Sequence, residues 1–293
     1  MFQINWKFKA FLYLVFSFLR LKGVFYFLQK YITKRSLINI KRINSLWDFH
    51  ANSIIKNNSK YLLELGAGKS LEQNIFFSYK FNNTINQTAI DINNMLDLTL
   101  VNQASEQISN ILKLKNKGKV ENINQLKKLY NISYIAPCSL SNLKNINSKF
   151  DICVSTNSLE HFELSELKNY LEELKTILKP GGLSSLIIDY SDHYSHTDKN
   201  ISPLNYLRYS DKEWEKYNNQ YLFQNRLRHQ DYKNIFKEKN YLIKDIFLGK
   251  LLSPPSIINK KFELNNDETF VGWAYFLIMK KKIKNIKFMK FYS

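Results

Sequence analysis

Few residues in this sequence break or cross-link a chain. Its 293 residues include eight glycines, five prolines and two cysteines, with no internal repeat and no low-complexity linker. The cysteines, Cys138 and Cys153, lie in apolar segments without paired spacing. This argues against a disulfide scaffold and a cysteine zinc site, and it fits a reducing compartment. The length and the 44% hydrophobic content predict one substantial core, alone or with a smaller appendage.

Long apolar runs are missing as well. Near the N-terminus the uncharged run over 10–19 is too short to span a bilayer, which takes about 20 apolar residues. Arg20 and Lys22 interrupt the apolar stretch and no small-residue cleavage site follows, so a signal peptide is a poor match. Two alternatives stay open for this segment: an amphipathic helix on a membrane surface, or a helix packed on the core or on a second subunit.

Acidic residues are scarce relative to basic ones. The chain has 25 Asp and Glu against 43 Lys and Arg, which gives a formal charge of +18. Such a charge attracts nucleic acid or an anionic membrane. We assign most of the excess to AT-rich codon usage, because Lys, Asn, Ile, Phe and Tyr crowd the whole sequence. Two basic clusters remain to be explained, the tail over 280–291 and the Lys and Arg residues of the first 42 positions.

Strand and helix patterns alternate along the chain. Short apolar segments predict seven strands, at 60–65, 86–92, 132–137, 150–156, 183–189, 241–248 and 270–281. Helical spacing predicts helices at 70–79, 96–115, 163–179 and 226–239. Ser70 is predicted to cap the first of these helices, and the Pro-Gly-Gly at 180–182 to end the third.

This alternation predicts an α/β fold with a doubly wound, mostly parallel seven-stranded sheet. We expect an N-terminal helical segment over 1–55 and the sheet domain over 56–293. Ligands of such sheets bind at the carboxyl ends of the strands. The segments to inspect for chemistry are therefore Glu64–Gly68, Asp91, Pro137–Ser139, Ser155–His161 and Asp189–His196.

The first strand end reads ELGAGKS, at 64–70. A phosphate-binding P-loop would need a glycine where Leu63 stands, and a dinucleotide loop would need a third glycine where Leu71 stands. Both interpretations are therefore weakened. Two remain: a tight strand-to-helix turn without a ligand, or a loop that holds another kind of cofactor.

The residues around this loop suit an adenosyl group with an amino-acid tail. The Glu64 carboxylate can accept a hydrogen bond from an ammonium group, and Gly66 and Gly68 let a ligand pass close to the backbone. Asp91 ends the next strand, where its carboxylate can accept both hydroxyl groups of a ribose.

Four segments occur in the order and at roughly the spacing of the class I S-adenosylmethionine-dependent methyltransferases: ELGAGKS, AIDI, FDICVSTNSLEHF and LEELKTILKPGGLSSLIID. The chain resembles this family over about residues 60–190. LEH and LKPGG are similar to the branch that acts on small molecules, sugars and lipids. The segments 191–214 and 224–232 are similar to bacterial members associated with surface-polysaccharide clusters.

The resemblance implies a Rossmann-like methyltransferase fold and S-adenosylmethionine as cofactor. By resemblance the loop from Glu64 through Gly66, Ala67 and Gly68 lies under the methionine part. Asp91 would then bind the ribose.

By the same resemblance Ile92 lies over the adenine, and Ser155 and Asn157 face the cofactor after the fourth strand. Two positions depart from the family pattern. Ser70 replaces a frequent third glycine, and the segment 136–140 lacks the acidic residue that often contacts the adenine amino group. Ser139, or a backbone carbonyl near Pro137, would have to replace that acid.

A hydroxyl acceptor must lose a proton when it is methylated, and a nearby histidine or carboxylate can take it. His193 and His196 follow the fifth strand and are the first candidates for the base, with Asp192 or Asp189 as orienting carboxylate. His161, after the fourth strand, is a further candidate. The alternatives are a helix-capping role for His161 and an exposed loop with incidental histidines.

Further polar residues follow the fifth strand. Asp189, Asp192, His193, His196 and Asp198 could bind a divalent metal, but their spacing is not diagnostic and we assign no metal site. The segment 190–225 is rich in Tyr and Asn, which favours either a substrate lid for a polar, ring-shaped acceptor or an ordinary packed insertion.

Two arginines follow this segment. Arg226 and Arg228 would meet a phosphate or carboxylate of the acceptor, or lie in solvent on a helix.

The sequence thus predicts methyl transfer from S-adenosylmethionine to a small polar acceptor, first of all a hydroxyl group of a saccharide or glycolipid precursor of surface polysaccharide. The first alternative is methylation of a soluble or quinone-like molecule. The second is a basic nucleic-acid-binding protein on a methyltransferase scaffold, although 155–158 lacks the Asn/Asp-Pro-Pro-aromatic site of base-amino methylation. The expected location is the cytoplasm, with peripheral contact to an anionic inner membrane face as a further expectation.

Overall fold

A central sheet of seven strands organises the protein. The computed structural model describes residues 4–19, 38–143, 149–219, 221–262 and 267–281. The strands are β1 (Tyr61–Leu65), β2 (Asn86–Ile90), β3 (Ile132–Ile135), β4 (Phe150–Thr156), β5 (Leu178–Asp189), β6 (Tyr241–Leu248) and β7 (Trp273–Lys280). Their order across the sheet is β3-β2-β1-β4-β5-β7-β6. The first five pair in parallel, whereas β7 runs antiparallel to both β5 and β6.

Eight α-helices are described around this sheet. They are α1 (Trp6–Phe18), α2 (Leu46–Lys56), α3 (Glu72–Lys80), α4 (Leu98–Leu112), α5 (Ile123–Tyr130), α6 (Leu164–Ile177), α7 (Asp211–Trp214) and α8 (His229–Glu238). Buried residues of α6 and α8 pack on one face of the sheet, and those of α2, α3, α4 and α5 pack on the other. The predicted α/β fold with a mostly parallel, doubly covered sheet is therefore confirmed.

Two local predictions were wrong. Helix α3 begins at Glu72 after Leu71, which has a left-handed backbone conformation, and the Ser70 hydroxyl donates to the Glu72 carboxylate instead of capping the helix. The Pro-Gly-Gly at 180–182 lies inside β5, because helix α6 already ends at Ile177. The register against β4 shifts there, so that the extra residues bulge out of the pairing without breaking the strand.

A third, smaller cluster of buried aromatic residues joins α1 to the segment after β5. The Trp6 ring lies 4.7 Å from the Tyr217 ring and 5.5 Å from the Tyr194 ring, centroid to centroid. The Trp6 amide donates to Asp198 Oδ2 at 2.9 Å, and Lys9 Nζ donates to Thr197 Oγ1 at 3.0 Å. One face of α1 is therefore packed inside the protein, as one of the two alternatives for this segment expected. The proposed boundary at residue 55 stays a prediction.

The opposite face of α1 is apolar and exposed. Large hydrophobic side chains recur there at helical spacing: Phe8, Phe11, Leu14 and Phe18, with exposed fractions of 55%, 58%, 50% and 85%. We call these four residues the outer face of α1. No helix in the described parts of the chain is both long enough and apolar enough to cross a bilayer. The basic residues Arg20, Lys22 and Lys30 and most of the basic tail over 280–291 lie outside the described residues.

A line of buried polar side chains connects α2 to the middle of the sheet. His50 is fully buried, with Nδ1 2.7 Å from Ser185 Oγ and Nε2 2.9 Å from Thr156 Oγ1. Ser53 Oγ, one turn further along α2, lies 2.6 Å from the Tyr275 hydroxyl. Burial lowers the pKa of His50 to about 3 because the imidazolium form would lose its hydration. The ring therefore stays neutral and bridges β4 and β5.

We expect the His50→Gln variant to lose part of the protein's acid sensitivity. The unfolded chain takes up a proton on His50 near pH 6.5, whereas the folded protein takes it up only near pH 3. The contribution of neutral His50 to the free energy of unfolding is therefore fully present above pH 6.5. It is lost as the pH falls from 6.5 towards 3, by up to about 1.4 kcal/mol per pH unit. Urea unfolding at pH 7.5 and pH 5.5 should show a larger loss in the wild type than in the variant. Equal losses would contradict the assigned pKa.

Candidate active site at the carboxyl ends of the strands

The loop after β1 has a backbone that requires glycine. Gly66 has a φ of +74°, and a Cβ atom at this position would lie 2.2 Å from Ser158 Oγ. The amides of Gly66 and Ala67 both donate to the Ile90 carbonyl, at 3.0 and 3.1 Å. Gly68 also has a positive φ, of +69°, but faces open space. The first glycine therefore permits close packing against the end of β4, and the second leaves room beside the loop.

Asp91 joins this loop to the end of β2. Asp91 Oδ2 accepts a hydrogen bond from the Gly68 amide at 3.0 Å, and Oδ1 accepts one from the Asn93 amide at 2.9 Å. Since a carboxylate has about four acceptor positions, capacity remains for further donors. Ile92, the next residue, is 65% exposed. The amide of Cys138 donates to the Asp91 carbonyl at 2.8 Å, which brings the end of β3 to the same place.

Glu64 is buried at the end of β1. Gln73 Nε2 donates to Glu64 Oε1 at 2.8 Å, while Oε2 has no hydrogen-bond partner among the described residues. Burial raises the pKa of Glu64 to about 8, and the nearby charge of Asp91 adds to the shift. Gln73 Oε1 accepts in turn from Thr156 Oγ1 at 2.8 Å, which extends the buried polar line from Glu64 to His50. The sequence analysis predicted a helix over this position but did not single out Gln73.

The other predicted cofactor residues lie around the same edge. Ser155 is fully buried and its Oγ donates to the Leu65 carbonyl at 3.3 Å. Asn157 has a φ of +51°, and its amide donates to the Ile187 carbonyl at 2.9 Å. The Ser139 hydroxyl contacts Ser141 Oγ at 2.6 Å and Asn142 Oδ1 at 2.9 Å, inside its own turn. The structure thus brings these positions together at one edge, and their contacts with a cofactor stay predictions.

A histidine cluster lies at the ends of β4 and β5. The ring of His193 lies 5.0 Å from that of His161 and 5.1 Å from that of His196, centroid to centroid. Asp189 Oδ2 is 3.5 Å from His193 Nε2 and 4.0 Å from His196 Nε2. Although burial acts to raise the pKa of Asp189, the contact with His193 lowers it overall. Burial and the neighbouring His193 lower the pKa of His196 to about 4, so its ring is neutral at pH 7.

Of the two carboxylates suggested as orienting groups, Asp189 is the one beside the rings. Asp192 is fully buried and caps the short helical turn over 193–196, where Oδ1 accepts from the Tyr194 amide at 2.8 Å. Its Oδ2 accepts from Asn205 Nδ2 at 3.2 Å. Burial raises the pKa of Asp192 to about 6. Asp192 therefore positions the loop that carries the histidines, and the structure gives it no hydrogen bond to their rings among the described residues.

A second buried carboxylate, which the sequence analysis quoted but did not assign, adjoins this cluster. Glu160 is 2% exposed, and neither of its carboxylate oxygens has a hydrogen-bond partner in the described parts of the chain. Burial and the nearby Asp189 raise its pKa well above the ordinary value.

The segment over 223–225 connects the two loops of the cluster. The Phe223 carbonyl lies 2.7 Å from His161 Nδ1, and the Asn225 amide donates to the Glu160 carbonyl at 2.9 Å. On the other side, Gln224 Nε2 donates to the Ser191 carbonyl at 2.5 Å. These residues are remote in sequence from both loops, and the sequence analysis assigned none of them a contact, although Gln224 and Asn225 begin the segment 224–232.

The alternative that Arg226 and Arg228 lie in solvent was wrong, and a contact with the acceptor stays a prediction. The two side chains are buried, at 5% and 1% exposure. Arg226 donates to the Tyr206 and Tyr209 carbonyls and pairs with Asp211. The guanidinium group of Arg228 donates to carbonyls of the segments 190–206 and 269–271. They join the segment after β5 to the rest of the domain.

Comparison with known proteins agrees with this architecture. Residues 63–186, somewhat less than half of the chain, match the family profile described as a methyltransferase domain. The match begins one residue before Glu64 and ends within β5. Comparison with curated proteins gives no match.

Among solved structures, the 1,6-didemethyltoxoflavin-N1-methyltransferase of Burkholderia thailandensis is similar at 12% identity. The similarity covers 82% of this chain and 80% of that one, with a TM-score of 0.47. An S-adenosylmethionine-dependent methyltransferase of Clostridium acetobutylicum is similar at 17% identity over 89% and 98% of the two chains, with a TM-score of 0.44.

The family match covers the strand ends at which the glycine loop, Glu64 and Asp91 meet. The buried Glu64 oxygen and the open space at Gly68 also fit a cofactor that carries an ammonium group and passes close to the backbone. Residues 63–186 therefore form a methyltransferase domain, and the protein is an enzyme whose cofactor is S-adenosylmethionine.

Proposed function

We propose that this methyltransferase acts on a hydroxyl group of a small polar acceptor, in particular a saccharide or a glycolipid precursor. The observation that carries the proposal is the placement of Asp189, His193 and His196 at the end of β5. This strand pairs with β4, so the cluster lies next to the strand end that carries Ser155 and Asn157. A proton acceptor at this position suits a hydroxyl acceptor, which must lose its proton during the reaction.

The cofactor contacts are proposed from the same edge. The Glu64 Oε2 atom would accept from the ammonium group of the methionine part, and Asp91 would accept from the ribose hydroxyl groups. The backbone of Gly66, Ala67 and Gly68 would lie beneath the part of the cofactor that joins the ammonium group to the ribose. The sulfonium supplies an activated methyl group, so the protein mainly has to align the acceptor and exclude water.

The saccharide class is proposed from two features. The segments 191–214 and 224–232 resemble methyltransferases of surface-polysaccharide clusters. Both follow β5, and we call them together the acceptor wall. This wall has its own aromatic core with Trp6, Trp214 and Tyr217. We infer that it covers the acceptor as a packed wall, because its aromatic residues and buried arginines fasten it to α1 and to the sheet domain.

The outer face of α1 supports a membrane-bound acceptor. Its four exposed hydrophobic residues lie on the helix that also packs on the proposed acceptor wall. The chain's formal charge of +18 favours an anionic lipid surface. We propose that α1 lies on such a surface and presents the site to lipid-linked substrates.

We expect S-adenosylmethionine binding to release up to about one proton from the wild-type protein at pH 6.5. Glu64 is largely protonated there because its pKa is about 8, and the ammonium group stabilises the ionised form. Calorimetry in two buffers of different ionisation enthalpy measures this release. Glu64→Gln should remove it and weaken binding, whereas the control Glu72→Gln should keep it. Proton release unchanged in Glu64→Gln would show that another group is responsible.

We expect Asp189→Asn, His193→Ala and His196→Ala to lower methyl transfer while S-adenosylmethionine affinity is retained. Loss of the general base should reduce kcat by about 10²- to 10⁴-fold. Loss of the orienting carboxylate should reduce kcat by less. Transfer of labelled methyl groups to nucleotide sugars and to extracted membrane lipids measures the effect. Asp245→Asn, the same change at an exposed residue of β6, is the control. Full activity in all three variants would exclude the cluster from the reaction, and a wild type without affinity for the cofactor would exclude the proposed function.

We expect the full chain to float with vesicles that contain phosphatidylglycerol, and less with pure phosphatidylcholine vesicles. Replacing Phe8, Phe11 and Phe18 together by serine should lower the bound fraction at least about tenfold, because three large apolar side chains no longer enter the interface. The matched control replaces three exposed residues elsewhere, Ile55, Ile123 and Ile257, by serine. Equal losses in both triple variants, or no flotation of the wild type, would contradict a specific role of α1.

A further inference from the structure

Glu160 presents a buried carboxylate that has no cationic partner among the described residues. Its exposed fraction is 2%, and within the described residues both oxygens lack a hydrogen-bond donor. An ionised carboxylate is rarely buried unless it is paired with a cation or coordinates a metal. Asp189, a second carboxylate, acts on the same group and makes its negative charge still less favourable. A cation next to Glu160 would offset both the burial of the negative charge and its repulsion by Asp189.

Two histidines complete a set of three ligands around this carboxylate. One donor atom from each of Glu160, His161 and His193 can be chosen so that all three lie within 4.8 Å of one another. In a tetrahedral zinc site the ligand atoms are about 3.4 Å apart, given metal–ligand distances of about 2.1 Å. Small side-chain rotations would therefore close the three atoms around one ion.

The orientation of His161 agrees with a ligand role. Its Nδ1 atom lies 2.7 Å from the Phe223 carbonyl, an acceptor that fixes the proton on Nδ1. The lone pair is then on Nε2, which is free to bind a metal. Histidine ligands of metals commonly donate their other ring N–H to a carbonyl or a carboxylate in this way. The segment over 223–225 thus acts as an outer support for the ligand set.

We propose that Glu160, His161 and His193 bind one divalent transition-metal ion, of which Zn²⁺ is the probe of choice. Two imidazoles and one carboxylate favour Zn²⁺ and its first-row neighbours over Mg²⁺, which prefers oxygen ligands alone. Three protein ligands leave a coordination position open, as in catalytic rather than structural sites. The sequence analysis assigned no metal site, and the residues it considered as a minority alternative included Asp192 and Asp198, which here are buried in other hydrogen bonds.

A further ligand of the ion would come from the acceptor proposed to bind at this edge of the sheet, and this part of the inference rests on the proposed function. An acceptor hydroxyl bound there would have a lowered pKa. Its proton would pass to His196 or Asp189. The oxygen would then form a bond to the methyl carbon, and the carbon–sulfur bond would break with its electron pair on sulfur, which leaves S-adenosylhomocysteine.

The test measures metal binding directly and needs neither cofactor nor acceptor. The full chain is freed of metal with a chelator and dialysed against Zn²⁺, and bound zinc is measured by mass spectrometry. We expect about one ion per wild-type chain, and at least about tenfold weaker binding in Glu160→Gln and in His193→Asn. His196→Asn, a neighbouring histidine outside the set of three, is the matched control and should bind as the wild type does.

Thermal unfolding separates lost ligands from lost folding. Zn²⁺ should raise the Tm of the wild type and of His196→Asn but not that of Glu160→Gln. Without metal, Glu160→Gln should melt no lower than the wild type, because the change removes an uncompensated buried carboxylate. Stoichiometric zinc in Glu160→Gln, equal weakening in His196→Asn, or a wild type that binds Mg²⁺ as tightly as Zn²⁺ would each overturn the assignment. Affinity for S-adenosylmethionine, measured on the same samples, reports separately on the proposed function.

Discussion

The hydrogen bond from the Gly68 amide to Asp91 holds together the two strand ends on which the proposed cofactor site depends. Each end alone is an ordinary strand terminus. Joined, they place a glycine loop with positive φ values beside a carboxylate that keeps free acceptor positions. The parallel pairing of β1 with β2 and β4 makes this possible, because it gathers their carboxyl ends at one edge.

Buried polar groups extend from this edge into the sheet. The line runs from Glu64 through Gln73 and Thr156 to His50 on α2. Within the described residues, each side chain of this line has a hydrogen-bond partner, and only Glu64 Oε2 lacks one. The free-energy cost of burying polar groups is therefore concentrated at the atom where a cationic ligand is expected. Helix α2 is thereby coupled to the cofactor loop, although it precedes the methyltransferase domain in sequence.

The proposed acceptor side of the site also contains a buried polar group that lacks a partner. Glu160 is buried without a partner in the described residues, and two histidines and a second carboxylate surround it. Arg226 and Arg228 show the opposite arrangement, because both guanidinium groups donate hydrogen bonds to several carbonyl groups, and Arg226 also pairs with Asp211. Burial alone therefore does not mark a functional residue. A buried charged group that lacks partners does, since folding leaves its desolvation uncompensated.

The sequence by itself determined the alternation of strands and helices, and hence the α/β fold, because period and turn residues are local properties. It also predicted a cofactor role for Glu64, Gly66, Gly68 and Asp91, which lie together because their strand ends are adjacent in the sheet; that role stays a prediction. It misplaced the Pro-Gly-Gly at 180–182, which becomes a bulge only because β4 pairs beside it.

Only the tertiary structure decided the roles of side chains that meet across long sequence separations. Gln73, His50 and Phe223 acquire their contacts through partners 83, 106 and 62 residues away. It likewise selected Asp189 over Asp192 as the carboxylate beside the histidines. Both follow β5, and the direction of each side chain depends on how the loop is packed by Asn205 and the segment over 223–225. No local pattern encodes such packing, because it results from the simultaneous burial of distant residues.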